Sequence, residues 1–97
     1  MIKLPFDKSE FIKICHENDV VMLGLFGSMA RGEATDKSDI DLLVKFSKRK
    51  SLLEVIRIER ELSETLGRKV DLITEAAISP YIRENILHDL EVIYAAQ

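Results

Sequence analysis

Polar and apolar positions along the chain alternate between two periods. Residues 20–26 are an apolar run between Asp19 and Gly27, the pattern of a strand buried on both faces. Residues 39–46 predict a second strand, and residues 69–74 a short third one. Helical spacing fills the intervals. Asp7 followed by Glu10 has the form of an N-cap with its capping-box partner. Phe11, Ile14 and Cys15 then share one face of a helix reaching to about Asn18. Ser51 and Glu54 open a second helix with Val55, Ile58, Leu62 and Leu66 on its apolar side, and Gly67 ends it. Ser79-Pro80 starts a last helix carrying Ile82, Ile86 and Leu90, after which residues 91–94 add an edge strand. The glycine-rich stretch 27–38 predicts a tight turn, a short helix and a loop. The expected class is α/β, with a small sheet flanked by helices.

Composition narrows this picture. A chain of 97 residues with 46% hydrophobic content closes one modest core, so residues 1–97 are expected to form a single domain. The net charge of −3 argues against the broad basic face with which a stand-alone nucleic-acid binder neutralises phosphates, so no direct nucleic-acid binding is expected. One cysteine and two histidines provide neither an internal disulfide nor a zinc-ligand cluster. The longest apolar run is too short to span a membrane and no signal-peptide pattern opens the chain, so a soluble, cytoplasmic protein is expected.

The polar residues around the first two strands carry the chemistry. Gly27-Ser28-Met29-Ala30-Arg31-Gly32 follows a strand directly, where glycine lets the backbone approach a phosphate and N–H groups at a helix start bind its oxygens. The same residue types also serve as ordinary turn formers. Ser38-Asp39-Ile40-Asp41 sets two carboxylates two residues apart, on one face of a strand. Two like charges at the mouth of an apolar strand are costly unless a divalent cation offsets them, although a solvated strand end is the alternative. Asp71 is a third acid inside an otherwise apolar strand, readable as a third ligand or as an ion-pair partner of Arg68 or Lys69.

If Gly27 and Ser28 are to meet Asp39 and Asp41, the end of the first strand must lie beside the start of the second, so those strands run antiparallel. Asp71 lies near the start of its strand. The second and third strands should therefore be parallel, joined by the 51–66 helix in a right-handed crossover. The expected sheet is mixed.

Gly27-Ser28, ten intervening residues, then Asp39-Ile40-Asp41 resembles the motif of the DNA polymerase beta-like nucleotidyltransferases. The run from Gly27 to Gly32, the run from Ser38 to Leu42, and Gly67-Arg68-Lys69-Val70-Asp71-Leu72 resemble the minimal nucleotidyltransferase (MNT) branch, over nearly the whole chain. The resemblance implies that Gly27 and Ser28 bind the triphosphate of ATP. It further implies that Asp39, Asp41 and Asp71 are the catalytic and Mg²⁺-binding acids, with Asp71 near the acceptor hydroxyl. Arg31 is a candidate to brace the turn or to reach a phosphate. Larger members of the superfamily carry an extra domain for the acceptor.

Stand-alone MNT proteins resemble the antitoxin half of two-component modules whose partner is a HEPN-family ribonuclease toxin, nucleotidylated at a tyrosine. The resemblance therefore implies a protein adenylyltransferase antitoxin, either as a homodimer or as a hetero-oligomer with the toxin. The alternatives are an antitoxin that masks its partner by binding alone, and a nucleotidyltransferase acting on a small molecule.

Other reactive side chains read as structural. Cys15 falls on the apolar side of the first helix, and His16 and His88 stand near helix ends. Lys45, Lys48, Arg49 and Lys50 lie beyond the far end of the second strand and read as a solvated loop.

Overall fold

A computed structural model of the chain describes residues 8–27, 30–32 and 39–96. The Asp7 cap, Ser28, Met29 and Ser38 lie outside the described residues.

The apolar run forms strand β1, Val20–Phe26, and the acidic motif opens directly into strand β2, Ile40–Phe46. The two pair antiparallel, with Phe26 opposite Asp41 and Val20 opposite Phe46. Helix α2, Leu52–Leu66, then returns the chain to strand β3, Val70–Thr74, which pairs parallel to β2. Both strand orientations inferred from the chemistry are thus present. Strand β4, Glu91–Ala95, pairs antiparallel to β1 and completes a mixed sheet of order β3-β2-β1-β4. Helix α1, Lys8–Glu17, precedes β1, and helix α3, Pro80–Asp89, precedes β4 after a 3₁₀ turn over Glu75–Ala77.

The helix ends have the chemistry their residues dictate. Ser51 Oγ accepts the Glu54 N–H at 3.2 Å, and Gly67 takes the left-handed φ of 68° that closes α2. Ser79 caps α3 by accepting the Tyr81 N–H at 3.3 Å, and Pro80 fills the first helical position, where a missing N–H costs nothing.

Alternation along the strands sorts the core onto two faces. Leu23, Leu25, Ile40, Leu42, Val44, Val70 and Leu72 face α1 and α2, where they meet Phe11, Ile14, Cys15, Ile58, Leu62 and Leu66. The opposite face has less cover. There Phe26 and Leu43 pack with Ile86 of α3, while Met22, Ile73, Ile78 and Leu90 border the cluster. The closeness of α3 to the sheet depends on Gly24. A Cβ at that position would stand 2.8 Å from Leu90 Cγ, so the glycine makes a notch into which Leu90 is set.

Polar side chains complete the frame. Buried Asn18 donates to the Ile14 carbonyl at 2.8 Å and accepts from Arg57 at 3.4 Å, tying the end of α1 to α2. On the outer edge of β3, Leu72 N–H donates to Glu59 Oε2 at 2.8 Å and Val70 N–H to Ser63 Oγ at 3.0 Å. An edge strand otherwise presents such groups to water or to another chain.

Candidate active site

The acidic residues of the motif converge at one end of the sheet. Asp41 and Asp71 are direct partners in the parallel β2/β3 ladder, so both side chains leave the sheet on the same face. That face is the sparsely covered one, because Ile40, Leu42, Val70 and Leu72 on either side of them point into the α1/α2 core. Asp39 precedes β2, exposed, with its Oδ2 4.0 Å from Lys69 Nζ. Lys69 thus pairs with Asp39.

Asp41 is perturbed by its surroundings. Partial burial comes first, and the negative charges of Asp71 and Asp39 add to it, raising its carboxyl above the usual carboxylate range; the Arg31 guanidinium pulls in the opposite direction. Among the described residues, no three possible ligands close on a common point by themselves. Asp41 and Asp71 in register, with Asp39 two residues before Asp41 and like-charge repulsion expressed at Asp41, are hard oxygen donors of the kind that could hold a divalent cation.

The turn after β1 is built against this cluster. Gly27 has φ +74°, a left-handed conformation that side chains rarely adopt, and a Cβ there would overlap Asp41 Oδ2. The Arg31 N–H then donates to the Gly27 carbonyl at 3.1 Å. Backbone and carboxylate therefore meet without an intervening side chain. The Arg31 side chain reaches across to α3, where its Nη1 donates to Asp89 Oδ2 at 2.8 Å. The second Asp89 oxygen lies 3.5 Å from His88 Nδ1. Asp89 gave no sign in the sequence, since a lone acid at a helix end follows no periodic pattern.

The remaining candidates have structural surroundings. Cys15 is fully buried and its thiol is pushed up to about 12 by that burial, which leaves it unreactive at neutral pH. The basic run lies at the other end of β2, as its spacing predicts. It is held there by Asp19, whose carboxylate receives Lys50 at 2.8 Å and Lys48 at 3.9 Å. Lys45 pairs with Glu75 at 3.1 Å. A shallow cavity of about 480 Å³ lies among these residues, remote from the acidic end of the sheet. Its lining contains none of Gly27, Asp39, Asp41 or Asp71.

Comparison with known proteins agrees with this architecture. The model of the polymerase beta nucleotidyltransferase family matches residues 9–97. The chain belongs to this family, and it is a nucleotidyltransferase. It is 36% identical over 100 residues to the protein adenylyltransferase MntA of Thermococcus cleftensis, covering 97% of this chain and 99% of that protein. A protein of Methanocaldococcus jannaschii, provisionally named an adenylyltransferase, is 42% identical over 82 residues, or 84% of this chain and 88% of its own length. In fold, the chain is similar to a chain of a toxin-antitoxin crystal structure with AMP-PNP, with a TM-score of 0.78 at 22% identity over 94% of this chain and 75% of that one. It is also similar to a chain from the complex of a tri-AMPylated Shewanella oneidensis HEPN toxin with its MNT antitoxin. That match has a TM-score of 0.68 at 20% identity, over 92% of this chain and 70% of the other.

Proposed function

We propose that this protein is the antitoxin of a two-component module, transferring AMP from ATP to a tyrosine hydroxyl of a HEPN-family ribonuclease. The observation that carries the reading is the in-register pair Asp41 and Asp71, with Asp39 beside it, on the open end of a sheet face whose neighbouring turn brings the Gly27 backbone against Asp41. Relatives named protein adenylyltransferases support the donor and the class of acceptor. The reading places the protein in the cytoplasm, where ATP and its target ribonuclease are found together.

In the reaction, the tyrosine oxygen attacks the α-phosphorus of ATP, the bond from that phosphorus to the bridging oxygen breaks, and pyrophosphate leaves. Asp39, Asp41 and Asp71 would hold Mg²⁺, which supplies charge neutralisation for the triphosphate and acidity for the attacking hydroxyl. Gly27 leaves room for the triphosphate to approach the backbone, and Ser28 follows it in the phosphate-binding motif. Arg31 adds a cation on the same side. Asp71, placed on the strand nearest the sheet edge, takes the proton from the attacking hydroxyl. The chain's own contribution is thus positioning and charge, which account for most of the catalysis of phosphoryl transfer.

The test is the mass of the partner. Co-expressed with a HEPN ribonuclease encoded beside it, the wild-type protein should leave that toxin heavier by one or more AMP units and cells protected. Protection by Asp41→Ala with an unmodified toxin would instead establish an antitoxin that acts by binding alone.

A further inference from the structure

We propose that Lys69 is a counter-ion that competes with a divalent cation for Asp39, and so sets how tightly the carboxylate site takes Mg²⁺. This inference rests on the metal-binding reading above and concerns the regulation of that same site. Asp41 and Asp71 are partners across the parallel β2/β3 ladder. Asp39 and Lys69 each stand two residues before one of these acids, at equivalent positions of the two segments. The Ile40 N–H donates to the Lys69 carbonyl at 2.9 Å, so the ladder continues to this level, where Lys69 Nζ lies 4.0 Å from Asp39 Oδ2. The end of the sheet therefore carries an acid beside an acid and, one step further out, an acid beside an ammonium.

The backbone of Lys69 is fixed while its charge is free to move. Gly67 ends α2 with its left-handed φ two residues earlier, and one residue later the Val70 N–H donates to Ser63 Oγ at 3.0 Å. The lysine is thus delivered to the Asp39 level of the ladder by the return from α2. Its ammonium, by contrast, sits on a flexible stem whose side chain is 71% exposed. An exposed pair at 4.0 Å is weak, so a divalent cation that several carboxylates can share takes Asp39 from it. The lysine still leaves its mark on that exchange. A positive charge beside Asp39 offsets part of the repulsion among the acids, and the same charge opposes the approach of a second cation. The site therefore takes Mg²⁺ less tightly than its carboxylates alone would, and removing the ammonium should tighten it.

Titration of the whole chain with Mn²⁺ alone tests this, since Mn²⁺ takes the same oxygen donors as Mg²⁺ and its free ion is read directly by electron paramagnetic resonance. The set comprises wild type, Lys69→Met, Lys69→Gln, Lys69→Arg and Lys45→Met. The two neutral variants at Lys69 should bind Mn²⁺ about three-fold more tightly, the scale of one solvent-exposed ionic contact. Lys69→Arg keeps the charge and should stay at the wild-type affinity. Lys45→Met removes the same charge from the other end of β2, where Lys45 pairs with Glu75 at 3.1 Å, and should leave the affinity unchanged. Using two neutral variants keeps the comparison independent of whether either one folds. Unchanged or weaker Mn²⁺ binding in the neutral Lys69 variants, or an equal gain in Lys45→Met, would overturn the proposal while leaving the metal reading intact. If neither the wild type nor the Lys69 variants take up Mn²⁺, both fail.

Discussion

Gly27 and Asp41 are in such close apposition that any β-carbon on the glycine would overlap the aspartate's Oδ2. The turn after β1 and the acid at the start of β2 are thereby one unit: neither can be altered without moving the other. Gly27→Ala should cost about 1–2 kcal/mol of stability from its left-handed φ, and it should also push the Asp41 carboxylate out of register with Asp71. Transfer activity should fall far more than stability. Urea denaturation beside a labelling assay checks this, and full activity in the Gly27→Ala variant would contradict it.

The raised pKa of Asp41 makes the site a source of instability. A carboxyl with a folded pKa above its unfolded value binds its proton more tightly in the native state. Its effect on stability is therefore unfavourable at neutral pH and is relieved as the pH falls through that raised value. Asp41→Asn removes the charge, so the variant should melt above wild type at pH 7. The gap should narrow as the pH is lowered into the carboxylate range. Mg²⁺ should raise the midpoint of the wild type and leave Asp41→Asn nearly unmoved, since only a ligand that binds the native site shifts it. Scanning calorimetry across pH, with and without Mg²⁺, gives both comparisons.

Glu59 protects the edge strand that bears Asp71. Its Oε2 accepts the Leu72 N–H one residue beyond the acid. Glu59→Ala should destabilise the fold by about 1 kcal/mol, the net worth of a hydrogen bond, and Glu59→Gln, which keeps an acceptor oxygen, by less. Hydrogen exchange at Leu72 should accelerate in Glu59→Ala. Unchanged protection there would show that the contact does not hold the edge.

Much of this architecture was legible in the sequence because it is written in periods and caps. The apolar run of β1 and the Ser51, Gly67 and Ser79-Pro80 boundaries each impose a local conformation. Chemical reasoning then gave both strand directions, since the glycine turn and the acids must meet. Contacts between distant surface side chains leave no such trace. In the sequence Lys69 reads as an ion-pair partner for Asp71, and only its placement shows that it lies 4.0 Å from Asp39. Gly24 disappears into an apolar run, and its role as a notch emerges only when Leu90 arrives from α3. The Arg31 partner was hidden for the same reason, being supplied by a helix end 58 residues later.

The account is tested most directly by following each phosphate of ATP. Wild-type protein, the proposed HEPN ribonuclease partner and Mg²⁺ are incubated with ATP labelled at either the α- or the γ-phosphorus, and the toxin is examined for label. Transfer of the α-label alone, abolished by Asp41→Asn in a protein that still folds, is the expected result. Transfer of the γ-label, or undiminished α-labelling by Asp41→Asn, would contradict it.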